Sequence, residues 1–230
     1  MNKLYVTLIS VLFFGTSVCA MAPNPVESNA MKPKIAIYLA GTIKKGHEKS
    51  NESFWDAENI DLLRTFLKNY EVVFLNPALR TDDLSDPLST FGRDMLQVFS
   101  STFVFVDARD RRGLGVGAEM MWAKLNTIPV VTWAPKNSFY RKEQTTILDV
   151  PVKNFVHPFI AALSDHIVDD LVEGALWIEH FMTHPSSAKI KNVESINDAI
   201  QYYKATQLQN DAPMMHLLAE KDELTKRMNV

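Results

Sequence analysis

The sequence predicts an α/β domain built on a parallel sheet of about five strands with helices on both faces. Short apolar runs that resemble buried strands alternate with stretches whose apolar residues recur at helical spacing. Such alternation is typical of strand–helix–strand units, which form parallel sheets covered on both faces. At 230 residues, 47% hydrophobic and 22% charged, the chain is long and apolar enough for one domain with a sizeable core.

The elements follow in order along the chain. Four strands are predicted from the runs KIAIYLAG, EVVFLNP, TFVFVDA and IPVVTWA, at 34–41, 71–77, 102–108 and 128–134. A fifth strand is predicted in KNFVHPF, 153–159. Helices are predicted at 53–68, 91–100, from about 116, at 164–181, 195–207 and 213–228.

Two of these helices carry more detailed expectations. The first should begin at Ser53, which together with Asp56 resembles a capping box. The helix at 91–100 should turn Met95, Val98 and Phe99 towards the core.

The N-terminus predicts export. Lys3 precedes an apolar run, and Val18-Cys19-Ala20 fits a cleavage site, so residues 1–20 are interpreted as a signal peptide and the protein as secreted or periplasmic. Translation from Met21 or Met31 would instead give a cytoplasmic protein. The remaining chain divides into a linker at 21–33, the α/β domain at 34–185 and a helical extension at 186–230.

Charge and composition limit the partners. A net charge of -3 argues against a nucleic-acid surface, so the expected ligand is a small molecule, and no membrane contact is expected after signal cleavage. The apolar stripes of the last two helices need a partner, either the main domain or another subunit, which favours a homo-oligomer.

No cofactor and no metal are predicted. The run GLGVG matches neither the dinucleotide fingerprint nor a phosphate loop. His180 and His184 are spaced like zinc ligands, but no third ligand is evident. The only cysteine, Cys19, falls in the predicted signal peptide, which excludes thiolate chemistry in the mature chain.

The strongest functional signal is the stretch RDRRGLGVGAEMMWAK, 109–124, in which a glycine-rich turn leads into a helix carrying one carboxylate, Glu119. It follows the third strand, and open parallel sheets bind ligands beyond the carboxyl ends of their strands. A helix starting near Val116 would place Glu119 in the first turn, where the helix N-terminus favours the anion while burial raises its pKa.

A partly desolvated but ionised carboxylate suits nucleophilic attack on a sugar carbon. Two other interpretations of Glu119 remain open: it caps the helix, although Val116 occupies the position that a capping Ser or Thr would need, or it lies in solvent beside a simple turn.

Other polar residues near predicted strand ends have both structural and functional interpretations. Tyr38 is either a core tyrosine or one whose hydroxyl reaches the strand end. Asp94 begins an otherwise apolar helix, as a partner of the helix dipole or as a site residue. Asp107 and Asp110 end and follow the third strand, where acids also form turns, and His157 is interpreted as a plain strand-end residue.

Three segments together, IYLAGT, GRDMLQVFSSTFVFVDARD and GLGVGAEMMWAKLNTIPVV, resemble the nucleoside 2-deoxyribosyltransferase family. The resemblance covers roughly residues 34–134, with the order of elements intact. It implies a flavodoxin-like fold, usually assembled as dimers of dimers.

The resemblance also implies roles. Glu119 would be the nucleophile, Tyr38 would hold its carboxylate, and Asp94 would contact the sugar or base. Asp107 and Asp110 would lie near the base and help to protonate it. The remaining residues expected at the substrate are Gly41, Arg112, Gly115 and Gly117.

The sequence also departs from the family. Gly113 stands where the transferases carry an aspartate, and the related deoxynucleoside 5′-monophosphate N-glycosidases have a serine there. Arg109, Arg111 or Arg112 could contact a phosphate instead, or form a solvated loop. The predicted activity is cleavage of an N-glycosidic bond with transfer of the sugar to a base or water. The alternatives are a nucleoside 5′-monophosphate N-glycosidase and a non-catalytic nucleotide-binding module.

Overall fold

The computed structural model describes residues 31–43, 54–79 and 83–220. Their strands are β1 Lys34–Ala40, β2 Glu71–Leu75, β3 Phe103–Asp107, β4 Val130–Trp133, β5 Arg141–Ile147, β6 Val150–Val156 and β7 His166–Val168. Five of them form one parallel sheet in the order β2-β1-β3-β4-β7, and β5 and β6 form a separate antiparallel hairpin. Counted within the sheet, this order is the 2-1-3-4-5 arrangement of flavodoxin-like folds. The predicted fold class is confirmed.

The helices are α1 Ala57–Phe66, α2 Pro87–Phe99, α3 Leu114–Leu125, α4 Pro158–Leu163, α5 Leu171–Thr183, α6 Val193–Thr206 and α7 Ala212–Glu220. Helices α2, α3 and α4 pack on one face of the sheet, and α1 and α5 pack on the other. None of the helices in the described ranges is both long and apolar enough to cross a bilayer.

Alternation along the strands assigns side chains to these two faces. In β1, Tyr38 and Ala40 belong to the cluster under α2, α3 and α4, whereas Ile37 and Leu39 belong to the cluster under α1 and α5. Strand β3 alternates in the same way, so Asp107 shares a face with Phe103 and Phe105. Tyr38 and Asp107 therefore point to opposite sides of the sheet.

The predicted position of the fifth strand is wrong. Residues 150–156 pair only with β5 in the hairpin, and the fifth strand of the sheet is β7, within the region predicted as a helix at 164–181. That helix, α5, begins at Leu171, after Asp170, whose side chain accepts a hydrogen bond from the Glu173 N–H. A three-residue strand is too short to show a period of its own.

Helices α1 and α2 differ from their predicted starts. Helix α1 begins after Asp56, whose side chain accepts from the Asn59 N–H, while Ser53 lies outside the described residues. Helix α2 begins at Pro87, four residues earlier than predicted, after the N-cap Asp86. Val98 is buried, as predicted, but Phe99 is exposed to solvent.

The C-terminal helices form as predicted, although α7 is described only to Glu220. Helix α6 has a capping box in which Asn192 and Ser195 bond reciprocally, and none of its residues is buried. Ile200, Tyr202 and Met215 are exposed apolar side chains of this extension. Its assembly with another subunit stays a prediction, and the segments predicted as signal peptide and as most of the linker lie outside the described residues.

Candidate active site

Tyr38, Asp94 and Glu119 come together on the sheet face covered by α2 and α3. The Tyr38 hydroxyl donates a hydrogen bond of 2.8 Å to Glu119 Oε1, across 81 positions of sequence. The charge of Asp94 acts on the pKa of both groups, which places its carboxylate close to them. Helix α2 is held against α3 there, since the Trp122 indole N–H donates to the Met95 carbonyl at 3.0 Å.

Glu119 lies further into its helix than predicted. Helix α3 begins at Leu114 with Gly113 as N-cap, so its first turn contains no acidic residue. Gly115 and Gly117 are helical because Val116 and Met120, both buried, anchor this turn on the sheet. The capping interpretation is therefore wrong, and free N–H groups of the helix end contribute little to the charge on Glu119.

The two carboxylate oxygens of Glu119 differ. Oε1 accepts from Tyr38, whereas Oε2 is buried and has no hydrogen-bond partner among the described residues. Only 8% of the residue is exposed. Burial raises the pKa of Glu119 to about 7, the Tyr38 hydrogen bond opposes this increase, and the Asp94 charge adds to it. Near neutral pH the carboxyl group is thus divided between its acid and anionic forms, because the expected effect of burial outweighs the effects that favour the anion.

Tyr38 is a core residue whose hydroxyl reaches Glu119. Its ring is fully buried in the cluster under α2, α3 and α4. Burial and the neighbouring Glu119 charge raise the pKa of Tyr38 far above its ordinary value. Its hydroxyl therefore stays protonated and acts as a fixed donor to the carboxylate.

Asp94 lies in the middle of α2 and not at its start, so the dipole interpretation is wrong. Its side chain is 17% exposed and pairs with the Arg93 guanidinium at 3.1 Å. Arg93 also donates to the Leu79 carbonyl at 2.9 Å. Sequence reasoning missed Arg93, although it directly precedes a predicted site residue.

Asp107 and Gly41 lie on the other face of the sheet. Asp107 is fully buried and forms ion pairs with Arg109 at 2.9 Å and Arg112 at 2.8 Å. A side chain at Gly41 would approach Trp55 to 3.1 Å and Asp107 to 3.5 Å. This arrangement assigns both residues to packing and ion pairing on the α1 side, away from the face that carries Glu119.

The loop arginines are engaged with this same carboxylate. The Arg112 side chain is 3% exposed and also donates to the Thr42 hydroxyl at 2.7 Å. The Arg109 guanidinium lies 3.7 Å from the centre of the Trp133 ring. Only Arg111 is an exposed member of the arginine run, so the solvated-loop interpretation describes that residue alone.

The remaining predicted residues occupy the turn before α3 and its first residues. Asp110 is partly exposed, and Gly115 and Gly117 are exposed. A Cβ at Gly117 would meet open space, whereas one at Gly115 would lie 3.8 Å from Glu119 Oε1. Gly115 is thus the glycine that borders the carboxylate.

Tyr140 supports this turn from a distance, and sequence reasoning missed it too. Its hydroxyl accepts a hydrogen bond of 2.8 Å from the Arg112 backbone N–H. Its own carbonyl accepts from the His157 N–H at 2.8 Å, which closes the base of the β5–β6 hairpin. Local sequence patterns carry no signal for a contact between such separate segments.

Metal binding gains no support from the histidines. His180 and His184 stack on one another and bond to Ser187 and Thr183. Within the described ranges no three His, Cys, Asp or Glu side chains are grouped as a metal site.

The chain matches no family model and no curated protein. Among solved structures it is similar to a 2-deoxyribosyltransferase from Bacillus psychrosaccharolyticus, with 13% identity and a TM-score of 0.40, over 61% of this chain and 90% of that one. It is also similar to a 2-deoxyribosyltransferase from Leishmania mexicana, with 19% identity and a TM-score of 0.44, over 65% of this chain and 98% of that one. The fold assignment rests on the strand order instead of these overlaps.

Proposed function

We propose that this protein cleaves the N-glycosidic bond of a nucleoside or nucleotide through a covalent glycosyl–Glu119 intermediate, and passes the sugar to another base or to water. One observation carries the proposal: a buried carboxylate with one oxygen fixed by Tyr38 and the other without a described partner. Leaving a carboxylate oxygen buried without a hydrogen bond costs stability, and such groups are concentrated at functional sites. The motif resemblance around Tyr38, Asp94 and Glu119 supports the same chemistry.

The reaction divides into two displacements at one carbon. Glu119 Oε2 attacks C1′ of the sugar, the bond from C1′ to the base nitrogen breaks, and the base leaves with the bonding electrons and gains a proton. A second base or a water molecule then attacks C1′, loses its proton and releases the Glu119 carboxylate. Two inversions give retention at the anomeric carbon.

Tyr38 and Asp94 have separate parts in this scheme. The Tyr38 hydroxyl holds Oε1, so that Oε2 keeps one orientation for attack. Asp94 provides carboxylate oxygens that can accept hydrogen bonds from sugar hydroxyls. Asp107 is paired with two arginines on the other face of the sheet, so Asp110 is the loop acid that remains to protonate the departing base.

The ionisation of Glu119 makes the scheme dependent on pH. Only the anion is a nucleophile, and burial raises the pKa of this group to about 7. The rate should therefore increase with pH through this value. A neighbouring acid that protonates the base would limit the rate at the alkaline end.

The direct test incubates purified protein with deoxyinosine, alone and with adenine. Transfer predicts deoxyadenosine and hypoxanthine when adenine is present, and hydrolysis predicts free deoxyribose in both mixtures. Deoxyinosine monophosphate is assayed in parallel to test the nucleotide alternative. Mass spectrometry of acid-quenched protein should find one added deoxyribosyl group on the peptide that contains Glu119.

The matched variants are Glu119→Gln and Glu58→Gln, the second on the exposed surface of α1. Glu119→Gln should lower kcat/KM by at least about a thousandfold and abolish the adduct, whereas Glu58→Gln should change neither. Bond cleavage by Glu119→Gln at the wild-type rate would refute the proposal. Nucleotide binding by wild-type protein without any cleavage would instead support the non-catalytic module.

A further inference from the structure

A cavity of about 530 Å³ lies beside the β5–β6 hairpin, where the chain leaves β4. The hairpin is separate from the five-stranded sheet, and the cavity contains none of the residues assigned to bond cleavage. Its lining residues come from the turn after β4 and from both hairpin strands: Lys136, Asn137, 141–144 and 153–156.

The hairpin register places two lysines on the same face of this wall. Lys142 pairs with Phe155, and Gln144 pairs with Lys153. Residues opposite one another in an antiparallel pair share a face, as do alternate residues of one strand, so these four side chains lie side by side. Lys142 and Lys153 are then diagonal neighbours, and like charges in this arrangement repel.

These two charges are not neutralised by the described part of the protein, where neither lysine has an ion pair. The other two cations of the lining, Lys136 and Arg141, both approach Asp169, at 3.9 and 2.9 Å. Glu143 is the one carboxylate in the lining. Four cations therefore face one lining carboxylate, and two remain in excess when Asp169 is included.

A basic cavity is unexpected in a protein whose net charge is -3. Bringing unpaired cations together costs electrostatic energy, which an anionic ligand would recover. The volume lies within the range of cavities that bind ligands as large as nucleotides. Phe155 adds a half-buried aromatic surface beside the lysines, and the Gln144 amide adds both a donor and an acceptor.

We propose that this cavity binds a linear polyphosphate anion, with nucleoside diphosphates and triphosphates as the ligand class. Lys142 and Lys153 contact neighbouring phosphate groups, because the diagonal separation of about 7 Å on a hairpin allows two ammonium groups to reach one phosphate chain. Arg141 and Lys136 add charge at the turn. The aromatic face of Phe155 packs against the base when one is present. This site is independent of the proposed cleavage at Glu119.

The test is isothermal titration calorimetry of the full-length protein with tripolyphosphate, ATP, adenosine and inorganic phosphate, at low and at moderate salt. We expect submillimolar binding of tripolyphosphate and ATP, with affinity falling several-fold as salt increases. Inorganic phosphate should bind at least about tenfold more weakly, because it reaches fewer of the cations. Adenosine alone should bind more weakly still at this site.

The decisive variant is Lys142→Gln/Lys153→Gln. Its charge-matched control is Lys68→Gln/Lys189→Gln, which removes two exposed lysines elsewhere. The first variant should lose at least about tenfold in affinity for tripolyphosphate, and the control should stay within about twofold of wild type. Glu119→Gln should bind tripolyphosphate like wild type, which separates this site from the catalytic one.

Three results would overturn the proposal. One is no detectable binding of tripolyphosphate or ATP by wild-type protein at millimolar concentration. The second is equal affinity in the hairpin variant and its control. The third is adenosine binding that is as tight as that of ATP and that weakens in the Lys142→Gln/Lys153→Gln variant, since the cavity would then recognise the nucleoside and not the phosphates.

Discussion

Two buried carboxylates near the carboxyl edge of the sheet contrast in how their charge is compensated. Asp107 is fully buried, and both of its oxygens accept from cationic groups: Oδ1 from Arg109 Nε and Arg112 Nη2, and Oδ2 from Arg109 Nη2. Glu119 has one hydrogen bond, from a neutral hydroxyl, and one oxygen without a described partner. A compensated buried charge stabilises the fold, whereas an uncompensated buried carboxylate marks a candidate functional site.

This difference in compensation predicts opposite effects on stability when each carboxylate is replaced. A compensated carboxylate should destabilise the protein when it is removed, because its arginines are left buried without a counter-charge. An uncompensated carboxylate should stabilise the protein when it is neutralised, because the desolvation penalty disappears. Substitutions at the two sites should therefore have opposite signs.

The largest expected change in stability follows Asp107→Asn. The substitution removes a counter-charge from Arg112, whose side chain is 3% exposed, so the free energy of unfolding should fall by about 3–5 kcal/mol. Urea denaturation at pH 7 measures it. Asp61→Asn, which disrupts an exposed pair with Arg64, is the control and should cost less than about 1 kcal/mol. Equal effects of the two substitutions would contradict the contrast.

Glu119→Gln should change the free energy of unfolding in the opposite direction. The folded protein holds the Glu119 proton up to a pKa of about 7, against an ordinary value of 4.5, so wild-type stability decreases as pH rises between these values. The variant lacks this loss and should be more stable by about 3 kcal/mol at pH 8, and by less than about 1 kcal/mol at pH 5. Denaturation at both pH values checks this, with Glu58→Gln unchanged within about 0.5 kcal/mol. A gain that is the same at both pH values would show that Glu119 is not the titrating group.

The sequence was enough to locate some of the strands but not others. Strands β1, β3 and β4 are apolar runs with almost wholly buried residues, so local composition located them. Strand β7 has three residues, and the two hairpin strands show neither regular alternation nor a buried residue, so none of the three could be assigned by periodicity.

The arrangement of the site residues could be predicted from the sequence only in part. The pairing of Tyr38 with Glu119 was implied by the family resemblance and could not be derived from spacing. The role of Asp107 depends on which face of the sheet it occupies. In a strand that is buried on both faces, apolar residues fill both sides, so the sequence does not reveal which side belongs to which helices.

Tyr38→Phe tests how the tyrosine hydrogen bond affects the pKa of Glu119. The tyrosine hydrogen bond lowers the pKa of Glu119, so its loss should raise that pKa further and move the acid limb of kcat/KM by about one pH unit upwards. Activity at pH 7 should fall several-fold and partly recover at higher pH. Tyr202→Phe, at an exposed position, should leave the profile unchanged. A reduced rate with an unmoved limb would mean that the hydroxyl acts on the substrate instead.

Asp94→Asn should produce the smallest effect, a decrease in the pKa of Glu119. The Asp94 charge raises the pKa of Glu119, so its removal should lower that pKa by less than about one unit. A carboxyl-carbon NMR titration with the Glu119 resonance assigned measures this without substrate. Asp61→Asn again serves as the control. An upward shift would show that Asp94 acts on Glu119 through Arg93 rather than directly.

The contact between Gly115 and Glu119 determines which substitutions α3 can accept at this position. A glycine inside a helix is less favourable than alanine by about 1 kcal/mol, and here a methyl group would sit 3.8 Å from Glu119 Oε1, an ordinary contact distance. Alanine would therefore strengthen the helix without displacing the carboxylate. Longer side chains would pack over Oε1, so this single position links the stability of α3 to the surroundings of Glu119.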